Sequence, residues 1–547
     1  MKWEFALLLN LAFVSATHHG SGRGHRKGCL DSAVSSKGMK IVDGVNTTAS
    51  RTSTEGYNFL TNQTEQYLVT SLPEVSFEFG ELYSGSISMD ADNSTNNSSL
   101  FFMFKPASTA VDEVVVYLNG GPGCSSLTAF MQENGPISWQ PGTFAPVQNP
   151  YGWSNLTNML WVDQPVGTGF SQGPITATSQ EEIAADFVRW FKNWQRAFGI
   201  SNYKIYLAGE SYAGRYVPYI GSAMLDANDA AYFDLKGSLL YSPTIGSFMY
   251  AQEQIVAYPF IASHNNLFNF NQTQMATMES MHLGCGYQNF TDTYLTFPPP
   301  GYQLELVWNS TAMQSCAPWN YASANVFNIN PCFNPYAINL MCPLLYNPTG
   351  TAHSTGQTTA GQTPYFDRSD VKAAIHAPNI TWEACAPRSV FVGSGGPENK
   401  GDTSADPIQS VLPRVIEATN RVLVGTGTFG KLNLVESGLT TPNSDFVVIS
   451  NGTLLAIQNM TWGGELGFQT APNATFTVEM EDLMYVDNFA AAGLVGWDGA
   501  QGRMGTYHYE RGLMFVETMQ AGHMVAQFQP RAAFKHLQWV LGRIDTF

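Results

Sequence analysis

Lys204-Ile205-Tyr206-Leu207-Ala208, a short strand signal, runs directly into Gly209-Glu210-Ser211-Tyr212-Ala213-Gly214 and then into a helical stretch. Just upstream, Glu181 to Phe198 sets Ile183, Phe187, Trp190, Phe191 and Trp194 on one side at helical spacing, which predicts an amphipathic helix packed on a core. Before that helix stands a second apolar run, Met159-Leu160-Trp161-Val162. Strand, long helix, strand is a βαβ unit, and its two strands lie parallel because the helix carries the chain back along the sheet. Further runs suit the same sheet: Leu100 to Phe104, the β-branched Val114-Val115-Val116-Tyr117-Leu118, Val422-Leu423-Val424, and Leu513 to Val516. Phe77 and Phe79, alternating with Glu78 and Gly80, predict another strand. No internal repeat interrupts this order.

The ends and the middle of the chain read differently. Met1-Lys2, an apolar stretch from Phe5 to Val14, and small residues at Ser15-Ala16 have the pattern of a secretory signal peptide over residues 1–16. Residues 17–70 are rich in Ser, Thr and Gly, as expected of a flexible or pro-region. Residues 246–405 break the strand–helix alternation and hold five cysteines, Cys285, Cys316, Cys332, Cys342 and Cys385; they predict an insertion that caps the sheet and is cross-linked by disulfides. Seven cysteines in an oxidising compartment suggest three disulfides and one cysteine left over. Acceptors for N-glycosylation, among them Asn62, Asn155, Asn271, Asn289, Asn379 and Asn473, point to export as well. No membrane anchor is expected, and the destination is secretion, with vacuolar or lysosomal delivery as the alternative. A formal net charge of −17 argues against nucleic acid as a partner, since phosphate binders need basic surface.

The chemistry gathers at the ends of the predicted strands. Ser211 sits where a strand turns sharply into a helix, a position that lifts its hydroxyl above the sheet edge at a helix N-terminus; alone, the hexapeptide would also suit an ordinary N-cap. A serine nucleophile needs a base and donors for the oxyanion. His523, in Ala521-Gly522-His523-Met524 after the late strand signal, is the candidate base. Asn119-Gly120-Gly121-Pro122-Gly123-Cys124-Ser125-Ser126 follows another strand signal, and no Gly-Lys-Ser/Thr turns it into a phosphate loop. A Gly-rich loop in this place supplies one oxyanion N–H beside that of the residue after the nucleophile, here Gly121 and Tyr212. No Cys-x-x-Cys or His-Glu-x-x-His spacing occurs, so neither metal nor other cofactor is expected.

Four separated motifs, Tyr117 to Ser126, Asp163-Gln164-Pro165-Val166-Gly167-Thr168-Gly169-Phe170-Ser171, Gly209 to Gly214, and Gly522-His523-Met524, together resemble the serine carboxypeptidase family. The resemblance runs from about residue 71 onward. It implies an α/β-hydrolase fold over 71–547, a mostly parallel central sheet flanked by helices, with the disulfide-linked cap inserted in it. It also implies release of single residues from the C-terminus of a peptide or protein substrate, best at acidic pH. By the same resemblance Asn119, the Gly120 N–H and Glu210 grip the terminal carboxylate, Glu133 partners Glu210, Met524 sits near the leaving residue, and Cys124 bonds to Cys385.

The chain departs from the family pattern in places. Tyr117 stands where Trp is frequent, and Ala526 where Pro often follows His-Met-Val. The acid of the triad, by resemblance, lies a few residues after the strand Val422–Val424, but a stretch without counterpart intervenes here. Removing residues 428–442 brings Asn443-Ser444-Asp445-Phe446 next to Gly427, which makes Asp445 the candidate acid and the stretch either a bulging surface loop or an unremoved in-frame intron. The rival readings are a related serine acyltransferase or esterase using the same residues, and a non-catalytic secreted binding protein on the same fold.

Overall fold

Apolar residues at every position of a strand require a sheet covered on both faces, and that is what the chain builds. The computed structural model describes residues 56–90, 98–247, 253–306, 310–340, 342, 345–350, 363–393, 401–428, 444–478 and 502–547. The expected signal peptide, Cys29 and residues 429–443 lie outside them. Ten strands form the main sheet: β1 Tyr83–Ser88, β2 Ser99–Lys105, β3 Glu113–Leu118, β4 Asn158–Asp163, β5 Lys204–Glu210, β6 Asp234–Tyr241, β7 Val422–Thr428, β8 Ala474–Val478, β9 Gly502–Glu510 and β10 Leu513–Met519. Their order is β1-β2-β4-β3-β5-β6-β7-β10-β9-β8. The six central strands, β4 to β10 in that order, are parallel, and antiparallel strands close both sides.

The period of two along each strand divides the core in two. In β3, Val114, Val116 and Leu118 face one apolar cluster and Val115 and Tyr117 the other. Helices Gln180–Ala197 and Ala213–Ala227 cover the first face, where Phe187, Trp190, Phe191 and Trp194 are fully buried. Burying one such side chain is worth roughly 1.5–3 kcal/mol, so this single helix anchors its face of the sheet strongly. Helices Leu127–Gln132 and Pro530–Val540 cover the second face.

Two expectations need correction. Residues 77–80 form no strand; the edge strand β1 starts at Tyr83 instead, where only Tyr83 and Ile87 are large and apolar among serines and a glycine. The flexible segment expected up to residue 70 ends earlier, because parts of residues 56–70 are held against the sheet. The Phe59 ring meets Phe104 at 5.1 Å, Tyr67 meets Phe102 at 5.5 Å, and Glu81 accepts from the Asn58 and Phe59 N–H groups.

Between β6 and β7 the chain runs through a largely helical excursion that includes Ile255–Ser263, Gln272–Gly284, Tyr287–Tyr294 and Pro318–Ile329. Cys285–Cys316 and Cys332–Cys342 staple it internally, and Cys124–Cys385 ties it to the loop after β3 across 261 residues of sequence. The stretch without counterpart also has a clear frame. Thr428 is buried as the last residue of β7, paired with Met519, so the stretch begins at 429 and not at 428. The Thr428 carbonyl accepts from the Ala521 N–H at 3.3 Å, and the Ser444 hydroxyl donates to the Ala521 carbonyl. Both flanks of residues 429–443 therefore meet one residue. Deleting 429–442 should leave melting temperature nearly unchanged and peptidase activity within about twofold, since loop length adds little once its ends are fixed. A folded but inactive deletion variant, assayed beside an active parent, would show that the stretch belongs to the working site.

Candidate active site

The pairing register of the parallel strands brings two loops together at their C-terminal ends, where ligands of such sheets bind. Leu118 pairs with Gly209 and Glu210 with Tyr241, so Asn119-Gly120 emerges beside Glu210-Ser211. Ser211 has φ +61°, a left-handed backbone that a non-glycine residue adopts at a penalty of about 1–3 kcal/mol. Three backbone bonds hold it there: its N–H donates to Tyr241 O at 2.9 Å, and its carbonyl accepts from Gly214 N at 2.9 Å and Thr244 N at 3.0 Å. The neighbouring loop must be glycine at position 120, because a Cβ there would lie 2.5 Å from the Tyr212 nitrogen. Among the described residues the Tyr212 N–H donates to no hydrogen bond.

The Gly-rich loop is fixed from beneath by the first residue of the Asp163–Ser171 motif. Asp163, at the end of β4, accepts from Ser125 Oγ at 2.6 Å, from the Ser126 N–H at 3.1 Å and from the Phe170 N–H at 3.0 Å. Burial outweighs these bonds and pushes its carboxyl up to about 6. On the other side, Ser125 N donates to Ala384 O and Ala386 N to Gly123 O, which brackets the Cys124–Cys385 bridge.

His523 and Asp445 come together on the far rim. His523 Nδ1 lies 2.8 Å from Asp445 Oδ2, and Asp445 Oδ1 accepts from the Val447 and Val448 N–H groups at 2.9 and 3.0 Å. The segment inside the Cys332–Cys342 loop clamps both: Tyr336 O accepts from His523 N, Pro335 O accepts from Phe446 N, and Ile338 N donates to Ser444 O. Asp445 is fully buried behind His523, whose buried Nε2 has no hydrogen-bond partner among the described residues. No hydrogen bond joins His523 to Ser211 among the described residues, but both line one cavity of about 1490 Å³. Gly121, Tyr212, Asn119, Gly120, Glu133, Glu210, Met524 and the Cys124–Cys385 pair line it as well.

Beside Ser211 the cavity wall holds a carboxyl cluster. Glu133 and Glu210 are both buried, at 5 % and 4 % exposure. Burial pushes Glu133 up to about 7, and burial together with the adjacent Glu133 raises Glu210 well above the usual carboxylate range. Asn119 Nδ2 lies 3.4 Å from Glu210 Oε1 and donates to Thr128 Oγ1 at 3.0 Å. Tyr117 is more than a neutral replacement: its hydroxyl donates to Glu133 Oε2 at 3.1 Å. That contact was invisible in sequence, because only strand register turns Tyr117 toward the helix that ends at Glu133. Among the described residues no group of three or more His, Cys, Asp or Glu side chains is placed to hold a metal ion.

A family model described as serine carboxypeptidase matches residues 73–543. The chain belongs to the serine carboxypeptidase family. It is 54% identical over 496 residues to the serine-type carboxypeptidase F of Aspergillus niger, with 90% of each chain covered. It is 38% identical over 494 residues to a carboxypeptidase Y homolog of Arthroderma benhamiae, covering 89% of each. Among solved structures, a prohormone-processing carboxypeptidase from Saccharomyces cerevisiae superposes with a TM-score of 0.63 at 21% identity, over 88% of this chain and 96% of that one, a likeness of fold. As a serine carboxypeptidase, the chain is a serine-type peptidase on an α/β-hydrolase fold.

The raised carboxyls of this carboxypeptidase link its stability to pH. Glu133 rises to about 7 from 4.5, Asp163 to about 6 from 3.8, and Glu210 moves in the same direction. The folded state therefore keeps protons that the unfolded chain has already released. The stability they contribute is fully present below the unfolded values and is lost as pH climbs through the folded ones. Melting temperature should fall from about pH 4.5 to 7 in the parent, and less steeply in Glu210→Gln, which keeps hydrogen-bonding capacity but does not titrate. Equal slopes for parent and variant in a thermal-shift series would remove this account of Glu210.

Proposed function

We propose that this carboxypeptidase works through an acyl-enzyme on Ser211. Ser211 Oγ attacks the last peptide carbonyl while His523 Nε2 takes its proton, and Asp445 orients the imidazole and stabilises its charged form. The Gly121 and Tyr212 N–H groups receive the oxyanion. His523 then passes the proton to the nitrogen of the departing residue, the C–N bond breaks, and water repeats the attack on the acyl-enzyme. Asn119, the Gly120 N–H and Glu210 hold the free carboxylate of the departing residue, Glu133 supports Glu210, and Met524 lies beside that residue.

The observation that carries this reading is the buried Glu133–Glu210 pair in the same cavity wall as Ser211. Two desolvated carboxyls beside the nucleophile suit a substrate with a free carboxylate, which favours a peptidase over an esterase acting on a small ester. A protonated Glu210 donates a hydrogen bond to a substrate carboxylate, whereas an ionised one repels it, which favours work at acidic pH. Export is part of the same proposal. It rests on the N-terminal apolar segment and on glycosylation acceptors Asn62, Asn155, Asn271, Asn289, Asn379 and Asn473, all exposed. No described helix is long and apolar enough to cross a membrane.

Ser211→Ala should fold normally and lose peptidase activity by roughly 10⁴-fold or more, as members of such a unit do; activity within about tenfold of the parent would remove Ser211 from the mechanism. The carboxylate site has its own test, a pH series on a free-acid peptide and its C-terminal amide. KM for the acid should rise as pH climbs through the raised Glu210 range, while KM for the amide changes less. Parallel pH dependence for the two substrates would refute the assigned role of Glu210.

A further inference from the structure

The mechanism above does not use Asp402, a buried carboxylate beside the nucleophile's helix. Asp402 is fully buried, in the segment that returns from the excursion toward β7. Its Oδ2 accepts from the Tyr212 hydroxyl at 2.7 Å and from the Gln180 side-chain amide at 2.9 Å. Its Oδ1 accepts from the Ser404 N–H at 2.9 Å and the Ser404 hydroxyl at 2.6 Å. Arg215 Nη1 stands 3.8 Å from Oδ2. Moving a carboxylate out of water is strongly unfavourable unless such donors replace the water, so this acid is held by a purpose-built set.

The set faces the helix that follows the nucleophile. Tyr212, Arg215 and Tyr219 recur at helical spacing, and each reaches the 402–406 segment: Tyr212 to Asp402, Arg215 to Asp406 and the Ser404 and Ala405 carbonyls, Tyr219 to the Ala405 carbonyl at 2.8 Å. The Tyr212 side chain is thus fastened at its hydroxyl, while its backbone N–H, one bond from Ser211, belongs to the strained turn.

We propose that Asp402 is a positioning residue for the oxyanion site: by fixing the Tyr212 phenol it fixes the Ser211–Tyr212 peptide plane and so the direction of the Tyr212 N–H. The proposal rests on the reading of Tyr212 as an oxyanion donor. Left-handed backbone at Ser211 persists only where its surroundings over-determine it, and a turn that relaxes swings the next N–H out of line. Losing one oxyanion donor altogether lowers kcat by about 10²–10³. Ser211 keeps its own three backbone bonds, so loosening Tyr212 misaims the donor without removing it, and the expected loss is smaller.

The test compares Asp402→Asn, Tyr212→Phe and the double variant, with active sites counted by complete fluorophosphonate labelling so that misfolded protein does not register. Each single variant should lower kcat about tenfold and leave KM for a free-acid peptide within about twofold. Affinity for a peptidyl aldehyde, whose hemiacetal oxygen takes the oxyanion position, should fall by the same factor as kcat/KM. The double variant should be no worse than the poorer single, because both cut one link. Tyr212→Phe keeps the ring and its packing, so it carries the test even where Asp402→Asn does not fold. A Tyr212→Phe enzyme with kcat per labelled site within about twofold of the parent overturns the proposal. So does a double variant whose loss is the product of the singles, or a loss of kcat without loss of aldehyde affinity. Failure of the Ser211 acyl-enzyme reading, on which both the proposal and the reading of Tyr212 rest, looks different: the parent itself would not label at Ser211.

Discussion

The site depends on a turn that would not hold its shape alone. Ser211 occupies left-handed backbone without being glycine, at the end of β5, and the chain must keep it there for its hydroxyl to stand clear of the sheet. The restraint comes from three directions. The adjacent strand β6 and the residues after it supply the hydrogen bonds to Ser211, Gly120 packs its bare Cα against the Tyr212 nitrogen, and the 402–406 segment fastens the following helix. Each depends on burial of both sheet faces, since unanchored strands could not keep the register that sets Asn119-Gly120 beside Glu210-Ser211.

Around that turn the cavity combines two electrical demands. An oxyanion needs donors, and a substrate carboxylate needs partners that do not repel it. In the proposed mechanism the second demand falls to carboxyl groups, which suit an anion only while protonated. Desolvation makes that state reachable: in the low-dielectric wall the neutral form is favoured, and two acids side by side favour it further. Tyr117 and Asn119 complete the cluster by donating hydrogen bonds into it. The proposed role of His523 has the opposite need, since its charged form requires stabilising, and Asp445 lies buried at its Nδ1.

Much of this was legible from residue order. The parallel core, the long helix on its face, the elbow and the Gly-rich loop are local patterns, and strands β3, β4, β5, β7 and β10 lie where β-branched and apolar runs predict them. Pairs such as Asp163 with Ser125, Tyr117 with Glu133 and Asp402 with Tyr212 were not legible. They join residues 16 to 190 positions apart, and no local pattern says which partner each residue meets. β1 escaped for another reason: Tyr83, Gly85 and Ile87 alternate with three serines, and the glycine leaves only two large apolar residues to mark the strand.

Asp445 marks the boundary between the two kinds of knowledge. Sequence alone determined that an acid was required and that Ser444-Asp445-Phe446 resembled its setting, because chemistry and local pattern are written in residue types. Whether an acid seventeen residues beyond Thr428 could stand beside His523 was a matter of tertiary structure. Thr428 and Ser444 both meet Ala521, and Pro335, Tyr336 and Ile338 tie the acid's segment and the histidine's to one disulfide loop. Position along the chain ceases to matter once both flanks of a stretch are fixed at one place, and only packing fixes them.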